Sequence, residues 1–129
     1  MSEHHGKIWW NELMTRDVAA AKAYYEATCG WEIVAMPMPF GDYWVCSHKG
    51  TPVAGIMDMD LAGDSMKGVP PHWFTYMAVS DVDAAVEATV AAGGSSMGPA
   101  FDVPEVGRIG IVKDPSGAPM GLMTPAENS

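Results

Sequence analysis

The chain has 129 residues, of which 48% are apolar, and seven basic residues stand against sixteen acidic ones, which gives a formal net charge of −9. This length falls in the single-domain range and is sufficient for a hydrophobic core without disulfides or metals. An acidic surface repels phosphate backbones and anionic lipid headgroups. The composition therefore predicts neither a nucleic-acid partner nor a membrane partner.

The first residues carry no apolar run of the kind that opens a signal peptide, and no stretch approaches the ~20 apolar residues of a membrane span. The two cysteines, Cys29 and Cys46, are too few and too far apart for a disulfide framework or a zinc site. These features predict a cytoplasmic protein with free thiols.

The first half of the chain predicts one strand, one helix and three further strands. Residues 7–13 are short and aromatic, which favours a strand. A helix is predicted over 17–29, with Asp17 as its N-cap and Gly30 as its C-terminal stop. Strands follow over 31–36, 42–48 and 52–58, separated by Gly and Pro.

The second half repeats that order after a linker predicted over 59–71. A strand is predicted over 72–79, an Ala-rich helix over 81–93, and strands over 95–101, 108–114 and 118–124. We therefore expect a single domain over 1–129, built from a first βαβββ module over 7–58 and a second over 72–124.

Sequence identities between the halves support an internal repeat. Asp17-Val18 in the first helix matches Asp81-Val82 at an offset of 64, and Gly55-Ile56-Met57 matches Gly121-Leu122-Met123 at an offset of 66. The predicted fold class is α+β, with the two modules forming a paired half-barrel around a small-molecule cleft.

Three segments in this order are similar to the glyoxalase/bleomycin-resistance/extradiol-dioxygenase family, the vicinal oxygen chelate superfamily. They are MTRD with VAAAKAYYEATCGWE, then VSDVDAA, then KDPSGAP. The resemblance covers 7–124 and implies paired βαβββ modules. It also implies a divalent metal held by side chains on the first and last strand of each module.

The resemblance places those four ligand positions at Trp10, Phe74, Gly55 and Gly121. None of these side chains supplies the carboxylate or imidazole donors that divalent ions need. Glu12 and His72 are donors two residues away, but their counterparts in the repeat are Tyr76 and Ile8. We therefore predict no metal site and no other cofactor.

Alternation along the strands predicts which side chains line the cleft. The predicted ligand-binding residues are Trp10, Glu12, Asp42, Trp44, Met57, His72, Phe74, Tyr76, Arg108 and Met123. Val45, Ile109 and Ile111 are predicted to be core, and Trp9, Leu13 and Trp73 to face the helices. Glu12 is the candidate catalytic base, or alternatively an ion-pair partner of Arg108. The aromatic residues could instead fill the cleft themselves.

Two functions of different classes follow. The first is a metal-independent protein that binds a small molecule, aromatic or cationic, between aromatic rings. The alternative is an enzyme, either a lyase or isomerase with Glu12 as its base or a glyoxalase-like metalloenzyme with other ligands. A degenerate member that acts through protein partners is a third possibility. Exposed strand edges also predict a homodimer.

Overall fold

The computed structural model describes residues 3–104 and 106–126, and of residues 62, 64 and 65 it describes the backbone alone. Two helices and nine strands lie within the described residues. The helices are α1 (Val18–Cys29) and α2 (Val82–Ala91). The strands are β1 (Ile8–Thr15), β2 (Glu32–Met38), β3 (Gly41–His48), β4 (Thr51–Asp58), β5 (His72–Ala78), β6 (Ser95–Ser96), β7 (Phe101–Val103), β8 (Gly107–Lys113) and β9 (Pro119–Pro125).

The chain divides into two compact units. The N-unit is Trp10–Phe74, and the C-unit is Met1–Trp9 with Thr75–Ser129. Each unit contains a mixed sheet and one helix, so the predicted α+β class is confirmed. None of the described helices combines the length and the apolar character that crossing a membrane requires.

In the N-unit the strands lie in the order β2-β3-β4-β1, antiparallel except for the parallel pair of β1 with β4. The helix α1 begins where predicted, because the Asp17 carboxylate accepts a hydrogen bond from the Ala20 amide at 3.0 Å. It ends at Gly30, whose φ of 68° is the left-handed conformation that glycine adopts without strain.

One face of the N-unit sheet packs against α1 and forms the core. The buried residues of that core are Leu13, Ile33, Cys46, Ala54 and Ile56, with Val18, Ala21, Tyr25, Trp31 and Trp44 packed against them. Trp73 also lies on the helix side, as predicted, because its indole nitrogen donates to the Tyr25 hydroxyl at 3.2 Å.

In the C-unit β9 lies between β5 and β8, and the short strands β6 and β7 both pair with β8. Its core joins α2 to the sheet through Val79, Val82, Val112 and Leu122. The strand predicted over 95–101 is broken into β6 and β7, since Gly98 with a φ of 132° and Pro99 interrupt it.

The segment predicted as a linker over 59–71 is more ordered than its composition indicates. Residues Met59–Met66 form 3-10 turns, kinked at Gly63. Met59 is completely buried, so the segment is anchored at its start.

Candidate functional site

The candidate site lies on the face of the N-unit sheet that points away from α1, which we call the far face. Successive side chains in a strand alternate between faces. Because Leu13, Cys46 and Ile56 pack against α1, their neighbours in each strand point the other way. The far face therefore carries Trp10, Glu12, Met14, Tyr43, Val45, Gly55 and Met57.

A polar cluster of three side chains occupies the middle of the far face. The Trp10 indole nitrogen donates to the Tyr43 hydroxyl oxygen at 2.9 Å. Tyr43 is also hydrogen-bonded to Glu12, whose side chain is only 6% exposed in the chain as a whole. Because Tyr43 accepts from Trp10, its own proton is free to point to the Glu12 carboxylate.

Burial raises the pKa of the Tyr43 phenol far above its ordinary value, and the negative charge of Glu12 raises it further. Tyr43 is therefore a neutral hydrogen-bond donor throughout the physiological range. The indole N–H and the phenol proton are both directed within the cluster, so together they hold the Glu12 carboxylate in a fixed position on an aromatic surface.

Tyrosine rings cover the two glycines of the last strands. A Cβ added at Gly55 would overlap the Tyr43 hydroxyl, and one added at Gly121 would overlap the Tyr76 ring. Gly inside a strand marks a close approach by another group. In both units that group is a tyrosine of the chain itself.

The parallel strand pairs have the same register in both units. Gly55 lies opposite Glu12 in the N-unit, and Gly121 lies opposite Tyr76 in the C-unit. These are the offsets of 64 and 66 that the sequence identities give. The far face of the C-unit sheet, which points away from α2, carries Tyr76, Ile109, Ile111, Gly121 and Met123.

The residues at the four positions where the family resemblance places metal ligands do not fit a metal. Trp10, Phe74, Gly55 and Gly121 supply no donor, and tyrosines fill the space that a longer side chain would need at the two glycines. Among the side chains that the structure describes, which do not include that of residue 64, no three or more His, Cys, Asp or Glu are grouped as a metal ion would require.

Two predicted site residues on β3 lie on the wrong face. Trp44 packs against the α1 core, and the Lys22 ammonium of α1 lies 5.7 Å from its ring centroid. Asp42 shares the face of Trp44 and is exposed. The prediction that Asp42 and Trp44 line the cleft is wrong, because Cys46 fixes the even-numbered residues of β3 toward α1.

Arg108 also lies on the wrong face. Its guanidinium pairs with Asp83 of α2 at 3.1 Å and with Asp102 of β7 at 3.2 Å. It is thus neither a far-face residue nor held by Glu12. Val45, Ile109 and Ile111, which were predicted to be core, point away from the helices. Ile109 is buried, as predicted, whereas Val45 and Ile111 are half-buried.

His72 and Phe74 come together at the start of β5. Their ring centroids are 6.4 Å apart in an edge-to-face arrangement, and the His72 Nδ1 lies 2.8 Å from the Pro70 carbonyl oxygen. They alternate with Trp73, which contacts α1, so both point away from that helix.

Sequence reasoning missed Tyr43, the residue that links Trp10 to Glu12. A signal was present, because a glycine in the middle of β4 needs a large neighbour to fill the space above it. Tyr43 lies one strand away and two residues before Val45, the partner of Gly55.

Comparisons with known proteins agree on the family and the fold. The family described as Glyoxalase/Bleomycin resistance protein/Dioxygenase superfamily matches residues 7–120. The chain is 42% identical over 115 residues to "Putative glyoxylase CFP32" of Mycobacterium tuberculosis, a match that covers 88% of this chain and 43% of that protein. It is 38% identical over 117 residues to "Anthracycline biosynthesis protein DnrV" of Streptomyces peucetius, covering 88% of this chain and 39% of that protein.

The chain thus spans less than half the length of the curated relatives it matches. Among solved structures, methylmalonyl-CoA epimerase from Mycobacterium tuberculosis superposes with a TM-score of 0.69 at 17% identity, covering 99% of this chain and 94% of that one. The protein BH1468 from Bacillus halodurans superposes with a TM-score of 0.71 at 7% identity, covering 96% and 97%. These likenesses show the fold.

Proposed function

Because the chain belongs to the Glyoxalase/Bleomycin resistance protein/Dioxygenase superfamily, we propose that it binds a small molecule, planar and cationic, on the far face of the N-unit. Glu12 provides the counter-charge, while Trp10 and Tyr43 provide ring surface. No metal takes part, because the residues at the four ligand positions do not fit one.

The buried Glu12 carboxylate among aromatic side chains is the observation that carries this proposal. A carboxylate removed from water interacts more strongly with a cation than an exposed one does. Aromatic faces attract cations as well and stack with planar rings. Trp10, Tyr43 and Met57 are half-buried, so each leaves part of its surface for a ligand.

Among the relatives, the two proteins named for anthracycline biosynthesis support this ligand class. An anthracycline is a planar ring system with a basic amino sugar, so it combines the two properties that the far face favours. We therefore choose the anthracycline daunorubicin as the probe.

The test is a titration of daunorubicin followed by tryptophan emission, with two isosteric variants that each remove one negative charge. Glu12→Gln should raise the dissociation constant by about tenfold, which corresponds to ~1.4 kcal/mol for a charge-assisted contact. Asp42→Asn is the matched control, because Asp42 stands on the α1 side of the same sheet, and it should leave the constant unchanged. Equal affinity of Glu12→Gln and wild type would overturn the proposal.

A second candidate function is proton abstraction by Glu12. The observation that favours it is the buried Glu12 carboxylate held by a hydrogen bond from a phenol that stays neutral, an arrangement that positions a carboxylate as a base. The solved epimerase structure suggests methylmalonyl-CoA as one test substrate, and the glyoxalase-like alternative suggests the hemithioacetal of methylglyoxal with glutathione as the second. Deuterium uptake from D₂O that disappears in Glu12→Gln would support an enzyme, and no uptake with either would reject this candidate for these substrates.

We also propose that the chain forms a homodimer. The outer strand of the N-unit sheet, β2, exposes 65% of Val34 and 46% of Met36. An exposed edge strand is commonly covered when it pairs with a strand of a second copy of the chain. Light scattering should give the dimer mass at micromolar concentration, and a monomer mass would contradict this.

A further inference from the structure

Arg16 ties together the two ends of the segment 59–69. One guanidinium nitrogen donates to the Val69 carbonyl at 2.7 Å, and the other donates to the Met66 carbonyl at 2.5 Å. The same side chain lies 3.5 Å from the Asp60 carboxylate and 3.6 Å from the Met59 sulfur. Arg16 directly follows β1, which carries Trp10 and Glu12.

Between these two ends, the Leu61 side chain reaches the edge of the far face. A Cβ at Gly41 would lie 3.0 Å from a methyl carbon of Leu61, so the Leu61 side chain lies against the start of β3. Gly41 and Tyr43 are two residues apart in β3 and therefore point to the same side of the sheet. Leu61 thus borders the face that carries the polar cluster.

The contacts at the ends differ in strength from the contact of Leu61 between them. One rigid, planar guanidinium holds residues 66 and 69 by charge-assisted hydrogen bonds, and residues 59 and 60 by a contact with sulfur and an ion pair. Leu61 remains 42% exposed, so its contact with Gly41 buries only part of the side chain. Gly63 and Gly68 have φ values of 63° and 79°, and glycine changes its backbone conformation at low cost. Segments with few buried contacts open locally.

We propose that residues 59–69 form a flap at the rim of the far face, fastened by Arg16 at its ends and seated by Leu61 between them. Opening of the flap uncovers the face for the ligand. Its role as a gate rests on the proposed function, while its movement is measurable without any ligand.

Methionine footprinting with hydrogen peroxide tests the movement. Met57 is a half-buried residue of the far face, and Met97 is 52% exposed on the C-unit and serves as the internal reference. Relative to Met97, oxidation of Met57 should become at least about threefold faster in both Arg16→Gln and Leu61→Ala. Met59 is less informative, because Arg16→Gln also removes the hydrogen bond to its sulfur.

The matched control is Val90→Ala, which truncates another exposed apolar side chain, 53% exposed, on α2. It should leave the Met57 rate unchanged. Arg16→Lys should give an intermediate rate, since one ammonium cannot reproduce the planar fork. An unchanged Met57 rate in Leu61→Ala, with the protein still folded, would overturn the flap.

Daunorubicin separates this inference from the proposed function. With binding intact, Leu61→Ala should raise the association and dissociation rate constants together by at least about threefold, and unchanged constants would overturn the gate. Failure of daunorubicin to bind wild type would count against the proposed function alone. The oxidation rates of Met57 would then show whether the flap opens.

Discussion

The two units of the chain share an order of elements but differ in the chemistry of their far faces. Each places a glycine under a tyrosine ring on the last strand, Gly55 under Tyr43 and Gly121 under Tyr76. The positions that correspond to Glu12 and Tyr43 by the repeat are Tyr76 and Ile109 in the C-unit. Aromatic filling is thus common to both units, whereas among the described residues a buried carboxylate is found in the N-unit and not in the C-unit.

The largest effect should come from giving Gly55 a side chain. Gly55→Ala forces a methyl group into the space of the Tyr43 hydroxyl, and we expect a loss of about 3 kcal/mol in the free energy of unfolding, the upper end for overpacking. Urea denaturation measures it. Gly121→Ala should cost a comparable amount, because the Tyr76 ring occupies the corresponding space.

A double-mutant cycle shows whether the overlap is the cause. Tyr43→Ala removes the ring with which the methyl group of Gly55→Ala overlaps. The double variant should therefore lose less free energy of unfolding than the sum of the two single losses, by at least about 1 kcal/mol. Additive losses would mean that Gly55 is required for another reason, and the parallel between the units would fail.

The next effect is the alkaline stability of the N-unit. The pKa of Tyr43 is raised in the folded state, so the folded protein keeps a proton that the unfolded chain loses above pH ~10. Stability should therefore be complete below that pH and fall above it by up to about 1.4 kcal/mol per pH unit. Burial raises the pKa of the Cys46 thiol to about 11 from 9.0. Cys46 therefore adds a loss of stability that begins near pH 9.0, at a lower pH than the loss from Tyr43.

Tyr43→Phe should remove the part of the alkaline slope that begins near pH 10. Tyr24→Phe is the matched control, since Tyr24 is 58% exposed on α1, and it should leave the slope as in wild type. Chemical denaturation between pH 8 and about 11.5 measures both. A Tyr43→Phe slope equal to that of wild type would contradict the burial of the phenol in the folded protein.

The smallest effect should come from Arg108. Its ion pairs with Asp83 and Asp102 are exposed, and such pairs contribute little because solvent screens them. Arg108→Gln should leave both the melting temperature and daunorubicin affinity close to those of wild type. A marked loss of affinity would restore Arg108 to the binding site and contradict its assignment to the α2 side.

The sequence was enough for the fold because helix caps, Gly-Pro boundaries and repeat offsets agree. Asp17 and Gly30 bound α1 as predicted, and the strand bounds differ by a few residues, except where Gly98-Pro99 splits one strand. The caps and the Gly-Pro boundaries are local signals, and the repeat is a comparison within the sequence, so none of them requires knowledge of what packs against each element.

The faces of the strands were harder to predict, because both sides of each sheet carry apolar residues. Trp10, Glu12 and Met57 were assigned correctly to the face away from α1. On β3 and β8, Val45 and Ile109 were predicted to face the helices because they are apolar. Since side chains alternate along a strand, that prediction placed Asp42, Trp44 and Arg108 on the opposite face, which is wrong. The hydrophobic pattern of a strand shows which of its faces is buried only where the other face is polar.

A planar cation is expected to bind beside Trp10 and Glu12. Fluorine NMR of protein labelled with 5-fluorotryptophan tests it most directly, with Trp10→Phe used to assign one of the five resonances. On addition of daunorubicin, we expect the Trp10 resonance to shift while those of Trp31 and Trp73, which contact α1, stay in place. A spectrum in which the Trp31 or Trp73 resonance shifts and that of Trp10 does not would contradict the account.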